Sequence, residues 1–265
     1  MPFGAQPSNG VGCSPANSMT EVMTRRTPVP PIEAQSIVVT GASQGLGAAI
    51  ARHFSDLGAR LVLLDRDATG LARLAEQCPG ATTAVVDLAD AVATRATIRE
   101  VLRDPIDTLI HNAAVLRVEP FEHVSFERFR ATLDVGIQAG FQLAQAVWPG
   151  MRKRGGGALV FVSSRSGIEG FAEEAAYCAT KHALEGFSKS LALEGAAHGI
   201  LSVTVTPGMY MHTPMSETTY PPELRAQWVD PIVLAPAFSY LATRPMHRSG
   251  ERLSAWDLCQ TEFEP

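Results

Sequence analysis

The sequence predicts an α/β fold, a single domain built on a doubly wound parallel sheet of about seven strands with helices on both faces. Short apolar runs at 37–39, 61–64, 84–86, 108–110, 159–162 and 203–205 alternate with helix-length stretches such as 46–57 and 175–197. The runs are apolar throughout, without alternation of inward and outward residues, as strands covered on both faces require. Strands separated by such crossovers pair in parallel with one handedness, and ligands of such sheets lie beyond the C-terminal strand ends.

Composition sets the bounds. The 265 residues suit one large sheet domain. Hydrophobic residues at 46% and charged residues at 18% can fill a core, which excludes wholesale disorder. Lys+Arg 22 against Asp+Glu 27 gives a net charge of −5, so no basic field invites nucleic acid. No apolar stretch approaches the roughly 18 residues of a membrane span, and the N-terminus lacks the charged-then-apolar order of a signal peptide. No membrane partner and a cytoplasmic location are expected. Cys13, Cys78, Cys178 and Cys259 are far apart and include no C-x-x-C, so neither a disulfide framework nor a metal site is expected. Residues 1–31, rich in Pro, Gly, Ser and Asn, read as a disordered tail, and 32–265 as the folded unit.

The first strand runs into Thr40-Gly41-Ala42-Ser43-Gln44-Gly45-Leu46-Gly47 and then a helix. In that context glycines permit a tight turn, backbone approach to a pyrophosphate and close helix–strand packing, while the helix N-terminus offers free N–H donors. A dinucleotide is the expected ligand. Asp65 ends the second strand eighteen residues after Gly47, where a carboxylate can accept from both adenosine ribose hydroxyls. That favours NAD, with NADP not excluded because Arg66 can compensate a 2′-phosphate. A helix N-cap is the alternative role for Asp65.

Tyr177 and Lys181 stand one turn apart on a helical segment, so their heads reach a common place. A phenol needs a nearby cation to exchange protons near neutrality, and a lysine one turn away supplies it. The strand ending Phe161-Val162-Ser163-Ser164 sets a hydroxyl at the same rim.

In order along the chain stand Thr40-Gly41-x-x-x-Gly45-x-Gly47, Asp65, Asp87-Leu88, His111-Asn112-Ala113-Ala114, Ser164, Tyr177-x-x-x-Lys181 and Pro207-Gly208. With these elements the chain resembles the short-chain dehydrogenase/reductase family over residues 36–257. The resemblance implies a Rossmann-like dinucleotide-binding and catalytic domain. It also implies that Tyr177 is the acid/base, that Lys181 lowers its pKa and binds the nicotinamide ribose, and that Ser164 holds the substrate oxygen. Gly41, Ser43, Gln44, Gly45, Leu46, Gly47, Asp65 and Arg66 then hold the adenosine diphosphate half, and Asp87 and Leu88 flank the adenine. Asn112, Ala113 and Ala114 support the cofactor, and Pro207, Gly208 and Thr213 line the nicotinamide.

Three departures stand out. On the helical stretch 126–151, Gly136 falls where the family offers an asparagine that holds a water between lysine and solvent. Slower proton exchange, a water in the vacated space, a kink or close packing are the possible consequences. His212 occupies the usual threonine position, with Thr213 one residue later, so His212 reads as a loop surface residue or a substrate contact. The C-terminal Ser254-Ala255-Trp256-Asp257-Leu258 departs from a segment that packs in tetramers. A homodimer or homotetramer remains the expectation, the tetramer being the weaker.

The loop after Pro207 carries Tyr210, Met211, Tyr220 and Trp228, either an apolar cover or filling between loop and core. Arg117 and Arg165 border the site as a fork for a carboxylate or as plain surface arginines. The sequence thus predicts an oxidoreductase that passes a hydride between NAD(H) and a secondary alcohol or ketone. The competing reading is a nucleotide-binding sensor or scaffold with little or no turnover.

Overall fold

The computed structural model describes residues 28–261. Seven strands, β1 (Ser36–Thr40), β2 (Arg60–Asp65), β3 (Thr82–Val85), β4 (Thr108–His111), β5 (Gly157–Val162), β6 (Ile200–Thr206) and β7 (Arg252–Ser254), form one sheet in the order 3-2-1-4-5-6-7. Every neighbouring pair is parallel. The helices are α1 (Gly45–Asp56), α2 (Ala68–Gln77), α3 (Ala91–Val101), α4 (Phe126–Leu133), α5 (Ala139–Arg154), α6 (Ala175–Gly195), α7 (Pro214–Thr219), α8 (Ala235–Ala242) and α9 (Ala255–Thr261).

Strand order reverses between β1 and β4, and Thr40 is level with both Leu64 and His111 at that point. The crevice that opens there is the place where such sheets take ligands. Successive strand residues bury into different cores. Ile37, Val39, Ile110 and Val160 pack with Ile50, Phe54 and Phe238 from α1 and α8. Val38, Leu109, Leu159 and Phe161 pack with Leu143, Val147 and Leu184 from α5 and α6. Two covered faces explain why the runs are apolar at every position. The exception is β3, an edge strand whose Thr82, Thr83 and Val85 are exposed.

The expected helix over 126–151 is present but not uniform. Between α4 and α5 the residues Asp134–Gln138 form a π segment, with Leu133 and Ala139 on either side in helical conformation. Gly136 lies inside it. The strand missed by pattern reading is β7, three residues of mixed polarity added at the sheet edge.

Of the expected tail, residues 1–27 lie outside the described residues, as does Cys13. Residues 28–31 lead into a 3-10 turn at Ile32–Ala34, and the buried Gln35 donates to the Pro30 carbonyl at 2.9 Å. Among the described residues no helix is long and apolar enough to cross a membrane.

Candidate active site

The glycine-rich turn follows β1 into α1. Gly41 has φ +64, and a Cβ on Gly47 would run into the Gly41 carbonyl, so the strand end and the helix start touch backbone to backbone. Gln44 precedes α1 without a side-chain cap. The N–H groups of the first turn therefore lack intrahelical acceptors, and Gln44, Gly45 and Leu46 line the cleft in front of them. The residues present fit a pyrophosphate.

At the end of β2, Asp65 accepts from the Ser43 N–H at 2.9 Å through Oδ2 and from the Asp67 N–H at 3.0 Å through Oδ1. The N-cap of α2 is Asp67, which accepts from Gly70, so the capping alternative for Asp65 is corrected. Its carboxylate borders the cleft beside exposed Arg66, with Asp87 and Leu88 also on the wall.

The Thr40 hydroxyl oxygen accepts from the N–H groups of Asn112 (3.0 Å) and Ala113 (3.1 Å). With both lone pairs taken, its own proton goes to Nδ1 of His111 at 3.0 Å. His111 is thereby the Nε2–H tautomer, and it donates to the Gly136 carbonyl at 2.7 Å. Burial pushes its pKa down to about 4 against the opposing bond to Gly136, so the ring is neutral. Asn112 donates to the carbonyls of Thr40 and Gly41, both at 3.1 Å, stapling the turn to β4.

A Cβ at Gly136 would collide with Cγ2 of Thr180 on α6. The space sketched for a water is filled by that methyl group. Close packing, one of the alternatives anticipated for Gly136, is found, and the segment around it is π-helical.

Lys181 is fully buried and donates from Nζ to the Val162 carbonyl at 2.6 Å. Burial lowers its pKa to about 8, and the Glu185 carboxylate one turn on opposes the shift. Glu185 itself accepts from Ser163 (2.5 Å) and Thr204 (2.7 Å) and pairs with Arg252 at 3.3 Å. The Lys181 ammonium lies over the Tyr177 ring, 5.3 Å from its centroid. Burial, followed by Tyr220, raises the Tyr177 pKa; the neighbouring Ser164 hydroxyl lowers it, and Glu174 and Cys178 raise it further. The hydroxyl that adjoins Tyr177 is Ser164, while the lysine head is drawn to the end of β5.

One cleft at the C-terminal strand ends gathers Gly41, Gln44, Gly45, Leu46, Asp65, Arg66, Asp87, Leu88, Asn112, Ala113, Ala114, Tyr177, Lys181, Pro207 and Thr213. Four expected residues stand just outside its wall. Ser43 backs Asp65, Gly47 packs on Gly41, Gly208 packs on Ser254 and Trp256, and Ser164 adjoins Tyr177. The Thr213 hydroxyl caps α7 by accepting from the Ser216 N–H at 3.1 Å and shares a 2.8 Å bond with the Ser216 hydroxyl. Val115, Val135 and Met215 also line the cleft, and as isolated apolar residues they gave no sequence signal.

Loop aromatics divide between the two readings. Met211 lines the cleft, and Tyr210 and Tyr220 meet edge to face at 5.3 Å. Trp228 is buried beneath exposed His212, so it fills the loop. The arginine fork does not form: Arg165 sits over Phe171, and Arg117 borders a separate recess with Glu119 and Arg128.

A family model described as short chain dehydrogenase matches residues 35–223. The chain belongs to the short-chain dehydrogenase/reductase family. This dehydrogenase is 37% identical over 195 residues to L-xylulose reductase of Bos taurus, covering 73% of its own length and 75% of the relative. It is 35% identical over 182 residues to D-threitol dehydrogenase of Mycolicibacterium smegmatis, covering 66% and 70%. Among solved structures, a putative NAD(P) dependent gluconate 5-dehydrogenase from Beutenbergia cavernae, with bound NADP at low occupancy, superposes with a TM-score of 0.78 at 28% identity. That match covers 85% of this dehydrogenase and 97% of the other chain. The dehydrogenase is an NAD(P)-dependent oxidoreductase acting on CH–OH groups.

Proposed function

We propose that the protein interconverts a secondary alcohol and a ketone on a small neutral polyol or ketose, with Tyr177 as the acid/base. The observation that carries this reading is that Tyr177 and Lys181 share one cleft with the phosphate-binding turn, while Ser164 adjoins Tyr177. Bound NAD(P) would supply the hydride acceptor or donor. Tyr177 takes the hydroxyl proton during oxidation and returns it during reduction. Ser164 orients the substrate oxygen against the phenol. Lys181 holds a positive charge beneath the ring that favours the phenolate.

A polyol is supported by the activities named for the relatives, L-xylulose reductase and D-threitol dehydrogenase. The site residues for adenosine are those lining the cleft from Gly41 to Leu88. The two backbone bonds that aim Asp65 at that wall support NAD over NADP. The exposed side chains of Phe141 on α5 and Leu193 on α6 support pairing of two copies through these helices. Light scattering of the purified protein then gives twice the chain mass, and a monomer contradicts the pairing.

The test of function is a parallel fluorescence titration with NADH and NADPH, followed by turnover of four- and five-carbon polyols and ketoses. Tight NADH binding with polyol turnover is expected. Binding of neither nucleotide, or turnover confined to apolar alcohols, contradicts the reading.

A further inference from the structure

Consecutive residues at the exit of β5 are each held by a charged side chain from another element. The Val162 carbonyl accepts from the Lys181 ammonium at 2.6 Å, and the Ser163 hydroxyl donates to Oε1 of Glu185 at 2.5 Å. The Ser164 carbonyl accepts from Nη2 of Arg252 at 3.1 Å. The last two contacts converge, because Nε of Arg252 lies 3.3 Å from the same Oε1 of Glu185. One guanidinium on β7 thus reaches both the Glu185 carboxylate on α6 and the backbone of Ser164.

The sheet puts Arg252 there. It is level with Thr204 in the pairing of β6 with β7, and the Thr204 hydroxyl donates to Oε2 of Glu185 at 2.7 Å. Glu185 is buried, and a buried carboxylate needs a paired cation and satisfied lone pairs, which Arg252 and the two hydroxyls supply. The chain after Ser164 fits closely over this group. A Cβ on Gly167 would stand 2.7 Å from the Ser163 hydroxyl and 3.2 Å from Oε1 of Glu185.

Ser164 opens the 3-10 turn Arg165–Gly167, and its carbonyl accepts from the Gly167 N–H at 2.9 Å. With the Arg252 bond added, both lone pairs of that carbonyl are taken. The peptide plane after Ser164 is thereby fixed, and with it the direction in which the side chain leaves the backbone. The hydroxyl's own contacts are long, 3.2 Å from the Ser166 N–H and 3.3 Å to the Ser166 hydroxyl. The backbone, more than these contacts, sets its aim.

We propose that Arg252 is a positioning residue for the reaction: anchored on Glu185, it holds the Ser164 carbonyl and so aims the Ser164 hydroxyl. The proposal rests on Ser164 orienting the substrate oxygen against Tyr177. Arg252 is absent from the cleft wall, so its effect passes through Ser164. Misplacing an orienting group by about 1 Å can cost on the order of a hundredfold in rate. Lysine does not replace arginine here, since a single ammonium lacks the planar fork that serves two acceptors.

The experiment measures ketose reduction and NADH affinity for Arg252→Ala and Arg252→Lys, each made alone and on a Ser164→Ala background. Arg252→Lys keeps a cation beside Glu185, and an NADH Kd equal to the parent value verifies that it is folded. Alone, each variant is expected to lower kcat on the order of tenfold with substrate KM little changed, because the lost alignment acts in the transition state. On the Ser164→Ala background neither is expected to lower kcat by more than about twofold further, the group they aim being gone. Parent-like kcat in both single variants overturns the proposal. The same loss repeated on the Ser164→Ala background also overturns it, since Arg252 would then act by a route other than Ser164. Parent-like turnover in Ser164→Ala is a different failure: it removes the role of Ser164 itself, and that of Arg252 with it.

Discussion

The Nε2–H of His111 donates to the Gly136 carbonyl at 2.7 Å, joining the end of β4 to the π segment between α4 and α5. Because the ring is buried and uncharged, the bond has a pH signature. The unfolded imidazole titrates near 6.5 and the folded one at about 4, so between these values the unfolded chain binds more protons. Stability present above pH 6.5 is lost as pH falls toward 4, by on the order of 3 kcal/mol from this group. Urea midpoints followed from pH 7 to 4 should fall less steeply in His111→Asn. Equal slopes contradict the assignment. His53, also lowered by burial, remains in both proteins and cancels.

Gly136→Ala is expected to destabilise by about 1–3 kcal/mol, since its methyl group meets Cγ2 of Thr180 in a packed interface. Thr180→Ser removes that methyl and keeps the hydroxyl bond to the Ala176 carbonyl. The double variant should recover much of the loss in urea unfolding. Additive losses would show that the two residues do not compete for one space.

What was legible in the sequence follows from where each signal lies. The central strands were legible because both faces are buried, and the turn and the Tyr177–Lys181 pair because local spacing alone brings their members together. The edge was harder to read: β3 exposes Val85 and β7 is three residues long. The roles of Glu185, Glu174 and His111 were not legible, although His111 stood in a recognised stretch, because they depend on partners 8–71 residues away. The fit of Thr180 against Gly136 is a packing fact between two helices, which a one-dimensional pattern does not encode.

Glu185 gathers Ser163 just after β5, Thr204 from β6 and Arg252 from β7, and Arg252 also donates to the Ser164 carbonyl at 3.1 Å. Removing one member of a buried ion pair costs about 3–5 kcal/mol. Glu185→Ala should lower the urea midpoint accordingly, and Glu185→Gln, which keeps one acceptor oxygen and turns an amide N–H to the other hydroxyl, should lower it less. A midpoint unchanged in Glu185→Ala contradicts this account of the strand ends.

Asp65→Asn removes the charge that disfavours a 2′-phosphate while leaving Arg66 beside it. The NADH Kd should rise and the NADPH Kd fall, moving their ratio by roughly tenfold or more, about 1.4 kcal/mol. Fluorescence titration reads both. An unmoved ratio places cofactor choice elsewhere.

The central claim is that Tyr177 exchanges the proton of a substrate hydroxyl, and Tyr177→Phe tests it most directly because only the phenolic oxygen is lost. Turnover of a polyol or ketose that the parent protein accepts should drop by on the order of a hundredfold or more, with NADH binding retained. Turnover within a factor of about two of the parent, with cofactor bound equally well, would contradict the assignment of the proton-transfer role to this residue.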